Sequence, residues 1–364
     1  MKVKQLVSFL DSIAPPAFQE SYDNVGLIIG DPEKDIQSVL VTLDVTPEVL
    51  EEARKKDAGM IISHHPLIFK GLKKITGRTN VERMVATAIR DNLAIFAAHT
   101  NMDAISGGVN TILGEKIGLQ DKTILRPAQG TLVKLVTFVP EQHAMEVRNA
   151  LFEAGAGVIG NYDSCSYNLL GEGTFKAGES ADPFVGEKGT IHFEKEVRVE
   201  TIMPKYLKGR VVTALKEAHP YDEVAYDLYP LENEYPLAGM GMLGSLPAAM
   251  QERDFLEQLK QKLGLKMLKH TALTGKDIQT VAICGGSGSF LIEDAIHAGA
   301  DMFISGDFKY HDFFTAEEKL VLVDIGHYES EHYVKEIFSV LIKKKFPTFA
   351  VQISEVNTNP VNLL

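Results

Sequence analysis

Cysteine is nearly missing from this chain: Cys165 and Cys284 are the only two among 364 residues. That excludes a Cys-rich zinc module and removes any basis for a disulfide framework. Each cysteine reads as a small buried hydrophobe. Long apolar runs are absent too, and none approaches the roughly 18 residues that a bilayer-spanning helix needs. Residues Met1 to Leu6 carry neither the apolar stretch nor the small-residue cleavage site of a secretory signal. They read as the first turn of a mature helix, and the chain as cytoplasmic, with no membrane partner. Basic charge is outweighed: 37 Lys and Arg face 49 Asp and Glu, a formal net charge of −12. A nucleic-acid partner is therefore disfavoured. The basic run Lys343-Lys344-Lys345 comes where the last helix ends and suits the negative end of a helix dipole.

What is present is an ordinary globular balance, 45% hydrophobic and 24% charged residues. The length suits two or three domains. Val39 to Leu43 is β-rich and ends at Asp44; Val49, Leu50 and Ala53 then share one face of a helical stretch. Met60 to Ser63 reads as a strand running into His64, a helix spans Val81 to Arg90, and a third strand, Ala94 to Ala98, ends at His99. The far end repeats this grammar in Val281 to Cys284, a helix through Leu291, Ile292 and Ala295, Met302 to Ser305, and Leu320 to Asp324 before His327. Laying residue 41 on residue 283 puts Ala53 on Ala295, Ala58 on Ala300, and Met60–Ser63 on Met302–Ser305. The third strands then set His99-x-x-x-Asp103 against His327-x-x-x-Glu331. Strands alternating with crossover helices predict parallel sheets, and the overlay predicts a duplication.

The expected fold class is therefore α/β: two similar halves, residues 1–127 and 233–364, forming one metal-binding core. Residues 128–232 have a different character, with a β-α-β-β-α-β order that predicts an inserted ferredoxin-like domain. Arg126-Pro127 and Tyr235-Pro236, with Gly239, Gly241 and Gly244, read as the flanking linkers. Functional residues of parallel sheets gather at the carboxyl edges of the strands. Asp44, His64, His65, His99, Asp103, Asp307 and His327 all fall there, so the two halves can supply one shared cleft.

Ser63-His64-His65-Pro66 sets two imidazoles side by side where a strand ends. If Pro66 turns the chain, each ring can reach a different ion. Asp103 and Glu331 are the natural carboxylates, and His327 adds a nitrogen from the opposite half. Imidazole with carboxylate suits zinc above all, with iron, manganese or cobalt as alternatives, and carboxylates can bridge two cations. The expectation is two divalent ions per subunit, held by His64, His65, Asp103, His327 and Glu331. His99 admits two readings, an orienting partner of a ligand or a polar neighbour of the cleft. Such a site performs metal-assisted hydrolysis, including ring-opening of a heterocycle. Asp307, Tyr310 and His311 are candidates for proton transfer or substrate contact, with Asp307 and His311 foremost as catalytic residues; an ordinary polar loop is the alternative. Gly285-Gly286-Ser287-Gly288-Ser289 is either a phosphate cradle or a tight strand-to-helix turn.

Taken together, Tyr22-Asp23-Asn24-Val25-Gly26-Leu27, Ser63-His64-His65-Pro66, His99-Thr100-Asn101-Met102-Asp103, Ser305-Gly306-Asp307 and Asp324-Ile325-Gly326-His327-Tyr328-Glu329-Ser330-Glu331 resemble the NIF-three-like dinuclear-metal family. Its members are named as homologues of GTP cyclohydrolase type two. The resemblance covers both outer halves. It implies metal ligands at His64, His65, Asp103, His327 and Glu331, with Glu331 as the bridge, a nucleotide-like small-molecule substrate, and a toroidal homohexamer with its sites facing an internal cavity. The insert resembles the PII/CutA-like domain of some bacterial members through His219-Pro220-Tyr221-Asp222-Glu223-Val224-Ala225. It lacks a basic phosphate-binding loop of the PII kind, which favours a structural or gating role. A non-catalytic metal-handling or regulatory ring is the competing function.

Overall fold

The computed structural model of the protein describes residues 1–364. Strands Ser38–Thr42, Met60–Ser63 and Ala94–Ala97 are buried at every position, as parallel strands covered on both faces must be. Alternate residues serve opposite cores. Val39, Val41, Met60, Ile62 and Phe96 meet helix Val3–Ile13 on one side, while Leu40, Ile61 and Ile95 meet helices Pro47–Lys55 and Asn80–Arg90 on the other. The two latter helices start cleanly because Thr46 and Thr79 accept from the backbone N–H of Val49 and Glu82. Strands Asp277–Ser287, Met302–Gly306 and Val321–Asp324 are sandwiched in the same way.

The chain separates into two compact units, Met1–Pro127 with Leu237–Leu364, and Ala128–Pro236. The first holds two sheets. One runs in the order Gly26–Ile29, Ala94–Ala97, Met60–Ser63, Ser38–Thr42, Ala350–Ile353; the other runs Lys269–His270, Val321–Asp324, Met302–Gly306, Asp277–Ser287, Tyr235–Gln251, Gln120–Ala128. Val39 pairs with Met60 and Val281 with Met302, so the overlay of residue 41 on 283 carries one ladder onto the other.

Two features differ from expectation. Ser63 pairs with Ala97 and Ser305 with Asp324, which makes Thr100, not His99, the counterpart of His327. Both are first residues of five-residue helices, Thr100–Ala104 and His327–Glu331. The repeated His-x-x-x-acid spacing is thus one residue out of structural register, and Asp103 and Glu331 are not equivalent positions. Second, the segments read as linkers are strands. Arg126-Pro127 and Gly239, Gly241 and Gly244 lie in the two strands at the far edge of the second sheet. The glycine at 239 is needed for that crossing, since a Cβ there would lie 2.2 Å from the Arg126 carbonyl oxygen.

The halves also exchange their last elements. Helix Val109–Ile117 sends Leu113 and Ile117 into the core of the second sheet, and strand Gln120–Ala128 joins that sheet's edge. Helix Val334–Lys345 sends Val334, Phe338 and Ile342 into the core of the first sheet, and Ala350–Ile353 pairs there with Ser38–Thr42. This reciprocal exchange ties the strand ends of one half to those of the other.

In the second unit, strands Tyr167–Lys176, Ile191–Pro204, Leu132–Pro140 and Tyr226–Leu231 form an antiparallel sheet in that order. Helices Ala144–Glu153 and Lys208–Ala218 cover one face, with Leu135, Val147, Val199 and Leu215 among the residues between. This is the ferredoxin-like arrangement. No helix of the chain is long and apolar enough to cross a membrane.

Candidate metal centre

Strand Met60–Ser63 ends by handing its next two amides to one acceptor: the backbone N–H groups of His64 and His65 both donate to the Leu43 carbonyl, at 3.1 and 3.0 Å. The two rings splay, with centroids 5.0 Å apart and planes 48° from parallel. His64 is fully buried, and its Nδ1 donates to the Ala98 carbonyl at 2.8 Å. A carbonyl can only accept, so Nε2 carries the lone pair. That Nε2 lies 3.5 Å from Asp103 Oδ1 and 3.8 Å from Glu331 Oε1. Neither His64 Nε2 nor Asp103 Oδ1 has a hydrogen-bond partner, although both are buried.

The other imidazoles follow one plan. His65 Nδ1 is 2.7 Å from Asp44 Oδ1, His327 Nδ1 is 2.8 Å from Asp307 Oδ2, and His99 Nδ1 is 2.9 Å from Asp23 Oδ1. Three carboxylates and one carbonyl thus orient four rings, the arrangement that fixes tautomer and direction in metal-ligating histidines. His65 Nε2 and His327 Nε2 stand 3.2 Å apart, each 3.0 Å from Glu331 Oε2. The donors fall into overlapping groups: His64 with Asp103 and Glu331; His65 with His327 and Glu331; and His64 with His65 and His99. Within each, the ligand atoms lie within 4.8 Å of one another, so these groups could hold a metal ion. Glu331 belongs to two of them.

The electrostatics of this cluster point the same way. Burial opposes the charge of Glu331, yet hydrogen bonds from His327 and His65 hold its carboxyl well below the usual range. Burial and the adjacent Glu331 charge push Asp103 well above that range. Burial lowers His65, but Asp44 and Glu331 outweigh it and carry it up to about 10. His327 is likewise lowered by burial but raised overall, by Glu331 and Asp307, to about 9. His64, with burial dominant, falls to about 4. Protons on His65 and His327 occupy the role that cations fill in a loaded site, and metal binding displaces such protons.

The glycine turn of the second half makes room for this chemistry. A Cβ at Gly286, whose φ is +64°, would sit 2.2 Å from Glu331 Oε1. The N–H of Gly285 already donates to Asn110 Oδ1 at 2.8 Å and that of Gly286 to Ser330 Oγ at 2.9 Å. With those amides engaged, the run acts as a tight turn that seats a carboxylate, in place of a phosphate cradle. Buried Asn110 also donates to the Asp103 carbonyl at 3.0 Å, coupling the Asp103 loop to this turn.

Of the expected site residues, His64, His65, Asp103, His327 and Glu331 are brought together. Asp307 reaches the cluster through His327; its φ of +58° is one that Asp tolerates. His311 is exposed, its ring packs near Tyr310 and Phe314, and no contact joins it to the cluster. Sequence reasoning passed over Thr358, whose hydroxyl donates to Asp44 Oδ2 at 2.6 Å, and Asn359, which donates to Glu329 Oε1 at 2.9 Å. It also gave no separate task to Asp23, present only inside a motif. Beside the cluster opens a cavity of about 450 Å³, lined in part by Asp44, His65, Lys269, His327 and Asn359.

The profile of the Duf34/NIF3 (NGG1p interacting factor 3) family matches residues 1–360. A protein of Halalkalibacterium halodurans named GTP cyclohydrolase 1 type 2 homolog is 38% identical over 364 residues, covering 99% of this chain and 98% of its own. A Bacillus subtilis protein of the same name is 36% identical, again across 99% and 98% of the two chains. The crystal structure of a Bacillus cereus protein related to NIF3 superposes with a TM-score of 0.87 at 37% identity, covering 100% of this chain and 99% of that one. Matched by the family profile over residues 1–360 and by these relatives over nearly its whole length, this chain belongs to the Duf34/NIF3 family.

Proposed function

We propose that the protein is a hydrolase dependent on two divalent metal ions that share the Glu331 carboxylate, acting on a nucleotide or related heterocycle. GTP is the first candidate, by the name its relatives carry. The observation that supports this reading most is the buried, unpartnered pair His64 Nε2 and Asp103 Oδ1, facing Glu331. Buried polar atoms are otherwise almost always paired. His64, Asp103 and Glu331 would hold one ion and His65, His327 and Glu331 the other. Imidazole and carboxylate together fit zinc best, then iron, manganese or cobalt.

Bound ions of this kind supply a nucleophile at neutral pH and neutralise charge that develops on a polarised carbon or phosphorus. The chain's own side chains do the remaining work. Asp44, Asp307 and the Ala98 carbonyl hold the rings of His65, His327 and His64 in place. The cavity beside them is large enough for a small molecule and admits it along the His65–His327 side. Asp307 acts as a positioning residue through His327, which leaves His311, on the same loop, as the candidate for substrate contact. The protein works in the cytoplasm, as the ring-shaped homohexamer that the family resemblance implies.

The test is metal analysis of the native protein followed by turnover assays with GTP, other nucleotides and phosphoesters, on the parent and on His64→Ala. Turnover lost in the variant with assembly retained supports the hydrolase. A metal-loaded parent inert to the whole panel sinks it, and lost assembly alone points to the metal-handling alternative.

A further inference from the structure

The sheet of the inserted unit has one face under its helices and one face open. Leu135, Val139, Val197 and Val199 pack toward the helices, so Phe138, Glu196 and Arg198 project from the open face. The ladder sets Leu169 opposite Arg198 and Gly171 opposite Glu196, on that same face. Glycine at both 171 and 173 deletes two successive side chains from it, cutting a notch between Leu169 and Phe175. Glycine inside a strand marks a place where something approaches closely. Glu196 leans into the notch, so that a Cβ at Gly173 would lie 2.2 Å from its Oε2.

Above the notch is a cavity of about 700 Å³, the size of a small-molecule site. Its walls are aromatic: the Tyr221 ring stands 6.1 Å from that of Phe175 and 6.3 Å from that of Phe184. Glu196 is only 8% exposed, and its one hydrogen bond comes from the Tyr221 hydroxyl, 2.8 Å from Oε1. No cation of the chain forms an ion pair with it. Arg198, nearest in sequence on the same face, is spent on Glu200 at 2.8 Å. Glu172, Asp222 and Glu223 add to the acidic lining against Lys176 and Arg198. A carboxylate withdrawn from water calls for a cationic partner, and aromatic faces attract the same charge.

We propose that the inserted unit binds a small organic cation, an ammonium group carried on a flat ring, with the ammonium at Glu196 and the ring against Tyr221 and its phenylalanine neighbours. The site is separate in chemistry from the metal cluster and does not depend on the hydrolase reading.

Calorimetric titration of the full-length protein tests it with three indoles of one shape: tryptamine, tryptophol and indole-3-acetate. Tryptamine binds saturably, tryptophol roughly tenfold or more weakly, as loss of a charge-assisted hydrogen bond requires, and indole-3-acetate not at all. Glu196→Gln, nearly isosteric, removes the preference for tryptamine over tryptophol. Gly171→Leu fills the notch and abolishes binding of both; nothing stands within 4 Å of a Cβ there, so the fold accepts it. Equal binding of the three compounds, no saturable binding of tryptamine, or binding untouched by Glu196→Gln overturns the proposal. A change of sedimentation in Gly171→Leu without tryptamine binding to the parent overturns it too, and makes this face a contact between copies.

Discussion

His64 Nε2 and Asp103 Oδ1 face each other at 3.5 Å, buried and without a hydrogen bond between them or to anything else. An imidazole lone pair and a carboxylate oxygen repel, so the fold carries an unfavourable contact that a cation between them relieves. Asp103→Asn separates stability from binding. Asn removes the cost of a buried carboxyl whose ionisation burial and Glu331 oppose in the folded state, and at neutral pH the metal-stripped variant should unfold at a higher temperature than the metal-stripped parent. It should also lose the gain that zinc or manganese confers on the parent, about 2.7 kcal/mol at a metal concentration near 100 times Kd. Scanning calorimetry with and without metal reads both effects. Equal metal stabilisation of parent and variant would remove Asp103 from the ligand set.

Thr358 should matter to the metal although it touches no candidate ligand. Its hydroxyl holds one oxygen of Asp44 while the other oxygen receives His65 Nδ1. Thr358→Val keeps the shape and drops the donor. Loss of such an orienting bond typically weakens metal affinity about 10-fold to 100-fold, which competition against a fluorescent chelator measures. An unchanged affinity would make the C-terminal segment mere cover.

Gly286→Ala is predicted to empty the site by steric means alone. The new methyl would overlap Glu331 Oε1, and the φ of +64° adds strain of order 1–3 kcal/mol. Metal content by mass spectrometry should fall to background while far-UV circular dichroism stays that of the parent. Gly299→Ala is the control, since it too has a positive φ but open space around its Cβ. If both variants keep their metal, Glu331 does not need that seat.

The insert has its own pH dependence. His219 Nε2 donates to the Phe138 carbonyl at 2.9 Å, and Nδ1 accepts from the Tyr221 N–H at 3.1 Å, so the fold uses the neutral ring. Burial lowers its pKa below the ordinary value of 6.5. On acidification the unfolded chain therefore takes up the proton first, and folded stability falls as pH drops below about 6.5. Above that value the contribution is flat. Proton NMR of the His219 ring should show no titration near pH 6.5, and His219→Gln should flatten the acid limb of the insert's stability. A ring titrating at its ordinary pKa would refute this.

Much of the core was legible because parallel strands buried on both faces read as uninterrupted apolar runs. Val39 to Leu43, Met60 to Ser63 and Val281 to Cys284 all declare themselves so, and side-chain period then places His64 and His65 at a strand end. The strands around Arg126-Pro127 and Gly239 were illegible, because proline and glycine signal turns unless a neighbouring strand is known to crowd them. Register across the third strands was equally hidden. A one-residue slip between His99 and His327 changes no composition, only hydrogen-bond pairing.

Local sequence by itself settled which residues can bind: adjacent imidazoles, carboxylates spaced along short helices, and an acidic chain almost without thiols. Tertiary structure decided which atoms face one another. It aimed four Nδ1 atoms at oxygens 20 to 76 positions away and joined the Thr358 hydroxyl to Asp44 across a separation of 314. The physical reason is the exchange of final helices and strands between halves. Such long-range pairings depend on packing that no local window contains, and they alone bring Glu331 to His64 and His65.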